Sequence, residues 1–152
     1  ADLLPLVRRL RERGADRIEI ETNGRMLAYD GFARALAEAG VSAVAVKLFA
    51  DAAAALDAHT RVPGSFQQTM RGLAVLRHAA PQIERIAVLI PRRQPGAAID
   101  ALLRLARESG FARARVELRL AKLDLLALPE LPDRVHALRS GVGTLKTDWI
   151  AS

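Results

Sequence analysis

The stretch Arg17-Ile18-Glu19-Ile20-Glu21-Thr22-Asn23-Gly24 alternates strictly between apolar and charged side chains and ends in a turn signal. Alternation with a period of two is typical of a β-strand with its isoleucines on one face and its glutamates on the other. An Asn-Gly pair can close a β-hairpin, but a helical pattern, not a second strand, follows this one. The stretch therefore predicts a strand that ends at Thr22-Asn23-Gly24 and continues into a helix.

The rest of the chain repeats this unit of a strand followed by a helix. Apolar residues at helical spacing separate the strand-like runs, and glycine or proline ends most of the helices. Parallel strands joined by helices imply right-handed crossovers and an α/β fold, which fits a doubly wound sheet or part of a (β/α) barrel equally well. The predicted strands are residues 17–22, 42–48, 83–90 and 115–120; the predicted helices include 52–58, one N-capped by Ser65, and 97–109.

Composition narrows the class of protein. The chain has 152 residues, half of them apolar, which suits one domain. It contains no cysteine, and no apolar run reaches the length of a membrane span, so we expect a cytoplasmic protein without a membrane partner. The net charge of +6 arises after residue 60, but no aromatic residues interleave with the arginines, which disfavours nucleic-acid binding.

At the two ends of the chain the sequence pattern predicts secondary structure less clearly. We expect a βα-repeat core over residues 1–128 and an irregular tail over 129–152, because Pro129 and Pro132 interrupt any pattern there. The sequence starts without methionine inside a helical pattern and stops without a clear cap. We therefore expect a fragment of a longer protein. In the fragment the strand at 17–22 would become a sheet edge, and we expect that edge to be covered by another copy of the chain, by the first helix or by the C-terminal tail.

Three stretches carry a resemblance when taken together and in order. They are Thr22-Asn23-Gly24, the strand over residues 44–49, and Thr60-Arg61-Val62-Pro63-Gly64-Ser65-Phe66 with its continuation Gly72-Leu73. This set resembles the radical S-adenosylmethionine (radical SAM) superfamily, in particular the members that modify peptides, cofactors or RNA. The likeness extends from Ala1 to about Leu120.

The resemblance implies both a fold and a cofactor. It favours a partial (β/α)6 barrel, of which this chain would supply the last four strands. It implies that S-adenosylmethionine binds near Glu21, Thr22, Asn23, Gly24 and Lys47, and that the substrate is a peptide, a small molecule or an RNA. The iron–sulfur cluster of the family is held by a CxxxCxxC loop that this chain lacks, and thiolates bind such clusters, so we expect no turnover by the chain alone.

Two positions depart from the family pattern. Lys47 stands where a small hydroxyl residue is usual, and Phe49-Ala50 stands where His or Asp followed by Gly is frequent. By alternation, Lys47 and Glu21 lie on the same side of adjacent strands, so we predict that they form a buried ion pair where the family places the ribose and carboxylate of the cofactor. The alternatives are that Lys47 reaches solvent and that Thr22-Asn23-Gly24 is an ordinary strand-end turn.

Several other residues keep two interpretations at this stage. Arg92-Arg93 follows a strand at the edge where ligands of α/β proteins bind, but a solvated turn explains the pair as well. His59 is most simply a surface residue. Glu117 either lines the interior of a barrel or faces water.

Three functions compete: a truncated radical SAM enzyme core, a degenerate non-catalytic module that binds peptide or RNA, and an unrelated α/β binding domain.

Overall fold

The structure is a computed structural model that describes residues 3–29, 31–90, 95–119 and 144–150. Helices and strands alternate along these ranges, as the sequence predicts. None of the helices in them has the length and apolar character needed to traverse a bilayer. The elements are α1 (Leu3–Glu12), β1 (Glu19–Thr22), a 3₁₀ helix (Arg25–Ala28), α2 (Phe32–Ala39), β2 (Ala43–Leu48), α3 (Ala53–Thr60), α4 (Ser65–Ala79), β3 (Glu84–Leu89), α5 (Pro95–Glu108), β4 (Arg113–Arg119) and β5 (Thr144–Ile150).

The five strands form one sheet in the order β1-β2-β3-β4-β5. The first four are parallel, and each pairs with the next strand in the sequence. A doubly wound sheet would require the order to reverse at a switch point, and the described strands have no such reversal. The fold is therefore the predicted α/β arrangement of parallel βα repeats, with an order compatible with a barrel, although the sheet is not closed.

The helices cover one face of this sheet. Buried side chains of α1, α2, α4 and α5 pack into one core with alternate residues of the strands, including Val44, Val46 and Leu89. The residues between them on β2 and β3 form a second, smaller core on the opposite face, and no helical side chain among the described residues contributes to it. We call that opposite face the inner face; its buried members are Ala43, Ala45, Ile86, Val88 and Ile90.

The inner face is curved. The strand registers place Phe111 level with Glu19, and Arg115 lies four residues beyond Phe111 on β4. On a flat sheet, three strand spacings and four residue rises would separate the Cα atoms of Glu19 and Arg115 by roughly 20 Å. Their side chains nevertheless meet, with 3.2 Å between Nη1 of Arg115 and Oε1 of Glu19. The sheet therefore twists and bends toward the inner face, as an open section of a barrel does.

The C-terminal segment corrects one expectation. We expected residues 129–152 to be irregular, but Thr144–Ile150 forms β5 and pairs antiparallel with β4. The register sets Asp148 opposite Arg115 and Lys146 opposite Glu117. Sequence reasoning missed this strand because the partner that defines it lies about thirty residues earlier, beyond the reach of local pattern.

The remaining boundary differences are small. The first strand is shorter than predicted, since regular pairing covers Glu19–Thr22 and not residues 17–22. It pairs with β2 alone among the described strands, so self-association through its other edge stays a prediction. Helix α5 begins at Pro95, two residues earlier than predicted, because proline suits the first helical position. The Arg92-Arg93 pair lies outside the described residues.

Candidate functional site

The predicted site residues lie where β1 and β2 end, at the carboxyl edge of the parallel sheet. Ligands of open α/β sheets bind at this edge, because loops diverge there and leave a crevice. Alternation assigns Glu21, Asn23, Lys47 and Phe49 to the inner face. Thr22 belongs to the other face, since its register partner is Val46, a member of the helix-covered core. The five predicted residues therefore cluster in space but do not all face the same way.

Glu21 and Lys47 form the predicted ion pair, with 2.5 Å between Oε1 and Nζ. The contact is diagonal, because the register sets Glu21 opposite Ala45, two residues before Lys47. The expectation of burial is wrong: the side chains are 38% and 26% exposed, since among the described strands β1 has a neighbour on one side alone and leaves Glu21 open to water. An ion pair with this much solvent access is worth roughly 0–1 kcal/mol, so a ligand can compete for either partner at low cost.

The surroundings of the ion pair are apolar. Ala45 and Val88 are fully buried on the same face, and Ile90 is 4% exposed. Phe49 packs against this cluster and also against His59, whose ring centroid lies 4.4 Å away. We expected His59 to be a surface residue, but it is partly buried and lies beside the site. The combination of an apolar floor with a few polar groups is typical of small-molecule sites.

The turn after β1 is held by its own side chains. Thr22 Oγ1 accepts a hydrogen bond from the Gly24 amide at 3.2 Å, and Asn23 Oδ1 accepts one from the Arg25 amide at 3.1 Å. Gly24 has a φ of 80°, in the left-handed region that favours glycine. These contacts explain the Thr-Asn-Gly sequence as a strand-end turn, and they expose the side chain of Asn23 at the carboxyl edge.

Helix α4 supports that turn from the other side. Thr69 Oγ1 donates toward the carbonyl oxygen of Asn23 at 3.1 Å, and Arg25 Nε donates to Oε1 of Gln68 at 2.9 Å. A Cβ atom on Gly72 would lie 2.4 Å from the carbonyl oxygen of Gly24, so only glycine allows this approach. Gly24 and Gly72, two of the three glycines in the stretches that carry the resemblance, therefore meet in the structure.

The start of α4 corrects another expectation. We expected Ser65 to cap this helix, but Gly64 occupies the cap position and Ser65 is the first helical residue. The capping oxygens come from Asp57 on α3, which accepts bonds from the amides of Gly64 at 2.6 Å and Phe66 at 3.0 Å and from the Ser65 hydroxyl at 2.8 Å. Sequence reasoning missed Asp57 because caps are normally sought next to the helix, and this one lies seven residues before Gly64.

These contacts also set the charge of Asp57. The hydrogen bond from the Phe66 amide contributes most to lowering the pKa of this carboxyl below its ordinary value. The Gly64 amide and the Ser65 hydroxyl lower the pKa further, and burial opposes them only in part. Hydrogen bonds that favour the ionised form act in this direction. Asp57 is thus an anchored carboxylate that ties α3 to α4.

The amino edge of the inner face also carries charged side chains that pair with one another. Arg17 Nη2 lies 2.6 Å from Oε2 of Glu84, and Arg113 Nε lies 2.8 Å from the other oxygen of the same carboxylate. Toward the carboxyl end of β4, Glu117 is 8% exposed. This burial favours the interpretation that Glu117 lines the interior over the interpretation that it faces water. The inner face therefore carries ion pairs at both edges, Glu84 with Arg17 and Arg113 at the amino edge and Glu21 with Lys47 at the carboxyl edge.

The residues can be tested against the two groups that the resemblance implies. An iron–sulfur cluster does not fit, because the sequence contains no cysteine and cluster iron is held by thiolates. S-adenosylmethionine does fit by donor chemistry: its amino and carboxylate groups complement a carboxylate and an ammonium, and Glu21 and Lys47 supply both at one point of the edge. The apolar floor suits the uncharged part of such a ligand.

Comparison with known proteins gives no assignment: no protein-family profile and no curated protein matches the chain.

Proposed function

We propose that this chain is the later part of the core of a radical SAM enzyme, and that its carboxyl edge contributes to the S-adenosylmethionine site. Glu21 and Lys47 would contact the charged groups of the cofactor, and the Thr22-Asn23-Gly24 turn would border it. The full enzyme would act in the cytoplasm on a peptide, a small molecule or an RNA. Cluster ligands would come from residues outside this sequence, and the chain alone would not turn over.

The observation that carries this proposal is the arrangement around the sheet. Four parallel strands follow one another in order, helices cover one face, and the other face is concave and carries the Glu21–Lys47 pair at its carboxyl edge. A doubly wound binding domain has helices on both faces and a reversal of strand order. The arrangement therefore supports a barrel-type site and argues against the unrelated α/β domain.

A second function, a degenerate module that binds peptide or RNA without catalysis, is favoured by one observation. Lys47 and Glu21 already neutralise each other at the position assigned to the cofactor. If their pairing outcompetes the cofactor, the edge would serve another ligand or none. The two functions differ in whether S-adenosylmethionine displaces the pair.

Calorimetric titration of the chain with S-adenosylmethionine separates the two. We expect saturable binding, weaker by at least about tenfold in Lys47→Gln, because a hydrogen bond to a charged group contributes roughly 1.5–3 kcal/mol. Arg9→Gln is the matched control, since it also removes one positive charge but from an exposed position on α1. Absence of binding to the wild-type chain would favour the degenerate module, and equal binding by both variants would exclude Lys47 from the site.

A further inference from the structure

The conformation of the turn after β1 depends on a connected set of hydrogen bonds that begins outside the site. Thr69 is 2% exposed, and its hydroxyl lies 3.0 Å from the carbonyl oxygen of Ser65 and 3.1 Å from that of Asn23. Both neighbours are acceptors, so the single hydroxyl proton serves one or is shared between them. Thr69 therefore links the first turn of α4 to the backbone of the turn.

The same first turn of α4 is fixed by Asp57. The hydroxyl of Ser65 donates to Oδ1 of Asp57 at 2.8 Å and also lies 2.8 Å from the hydroxyl of Thr60. Ser65 itself is 1% exposed. A path of direct contacts thus runs from the Asp57 carboxylate through Ser65 and Thr69 to the carbonyl of Asn23.

Packing reinforces this path one helical turn further along α4. The Gly72 position lies against the Gly24 carbonyl so closely that a methyl group has no room. Because α4 contacts the turn by both a hydrogen bond and a backbone approach, a shift of the helix would have to move the turn with it. Interiors are close-packed and transmit such displacements.

We propose that Thr69 and Asp57 are positioning residues that set the geometry of the Thr22-Asn23-Gly24 turn through α4. Thr69 acts directly on the Asn23 carbonyl, and Asp57 acts by holding the start of α4. The consequence for cofactor affinity rests on the proposed function; the consequence for the turn does not. The Gly-Ser-Phe sequence at residues 64–66 gains a role in this way, since its amides and hydroxyl are what Asp57 holds.

Backbone amide exchange at Gly24 and Arg25 tests the proposal, because both amides are bonded within the turn. We expect Thr69→Val to speed their exchange about fivefold relative to the amides of β2 and β3, the factor that corresponds to one hydrogen bond. Thr69→Ser keeps the hydroxyl and should stay within about twofold of wild type. Gln67→Ala, on the exposed side of the same helix, is the control for general loosening of α4.

The outcomes separate this proposal from the proposed function. Unchanged exchange in Thr69→Val, or equal acceleration in Thr69→Ser, would overturn the positioning role. Faster exchange together with weaker S-adenosylmethionine binding in Thr69→Val and in Asp57→Asn would support both proposals. Faster exchange in Thr69→Val, together with no binding of S-adenosylmethionine by the wild-type chain, would support the positioning role and contradict the assignment of the cofactor.

Discussion

Arg115 on β4 and Glu19 on β1 form an ion pair of 3.2 Å although two strands lie between them. The contact requires the inner face to be concave, and it connects the fourth parallel strand directly to the first. Both side chains are about a quarter exposed, so water weakens the attraction without abolishing it. The curvature that the proposed site needs is thus visible in one pair of side chains.

The first prediction concerns this pair. In a double-mutant cycle of Glu19→Gln and Arg115→Gln, we expect a coupling of about 0.5–1 kcal/mol in the free energy of unfolding, measured by urea denaturation at low salt. The coupling should shrink in 0.5–1 M salt, because exposed charges are screened there. Zero coupling at low salt would contradict the claim that this contact stabilises the curved sheet.

The second prediction concerns Gly72. Alanine in the middle of a helix normally stabilises relative to glycine by about 0.5–1 kcal/mol. Gly72→Ala should instead destabilise the protein by roughly 1–3 kcal/mol, because its methyl group overlaps the Gly24 carbonyl and approaches Leu27 to 3.0 Å. Thermal or urea unfolding measures the sign. Arg71→Ala, exposed on the same helix, should change little, and a stabilised Gly72→Ala variant would show that α4 does not press on the turn.

The third prediction concerns pH. The folded-state pKa of Asp57 is lowered, so the unfolded chain binds the proton more readily and the contribution of Asp57 to stability is present above the unfolded pKa. That contribution is lost as the pH falls through the folded value. Asp57→Asn should therefore flatten the loss of stability on acidification, as followed by urea midpoints between about pH 6 and pH 2. Asp51→Asn, which removes an exposed carboxylate from the loop before α3, is the control for the loss of one negative charge.

The fourth prediction concerns the Lys47–Glu21 pair. Glu21→Gln should cost less than about 1 kcal/mol of unfolding free energy, because both side chains have solvent access. It should also leave Lys47 without its carboxylate and thereby strengthen binding of simple anionic ligands, as measured by calorimetry with acetate or sulfate. Weaker anion binding in Glu21→Gln would show that Lys47 is not the group that receives them.

Much of this architecture follows from local pattern. The alternation of Ile18-Glu19-Ile20-Glu21 predicts a strand with one charged face, and the structure assigns its glutamates to the inner face. The Lys47–Glu21 contact is predictable too, because alternation and strand adjacency suffice for it. The solvent access of this pair is not predictable from local pattern, since it depends on which strands flank β1 in the folded sheet.

The features that escaped prediction are tertiary. Asp57 caps α4 from a different helix, and β5 exists only because β4 offers it an edge. The Thr69 hydroxyl gives no sequence signal that it touches Asn23, forty-six residues away. Local propensity carries little information on such contacts, which form only after the elements have packed.

The most direct test of the cofactor site is a titration of the ¹⁵N-labelled chain with S-adenosylmethionine, followed by amide chemical shifts. The account predicts that shifts concentrate at residues 21–24 and 47–49, the carboxyl ends of β1 and β2, and that Lys47→Gln reduces them. Shifts confined to the amino edge around Glu84, or to the exposed face of α1, would contradict the account, as would the absence of any shift at millimolar cofactor.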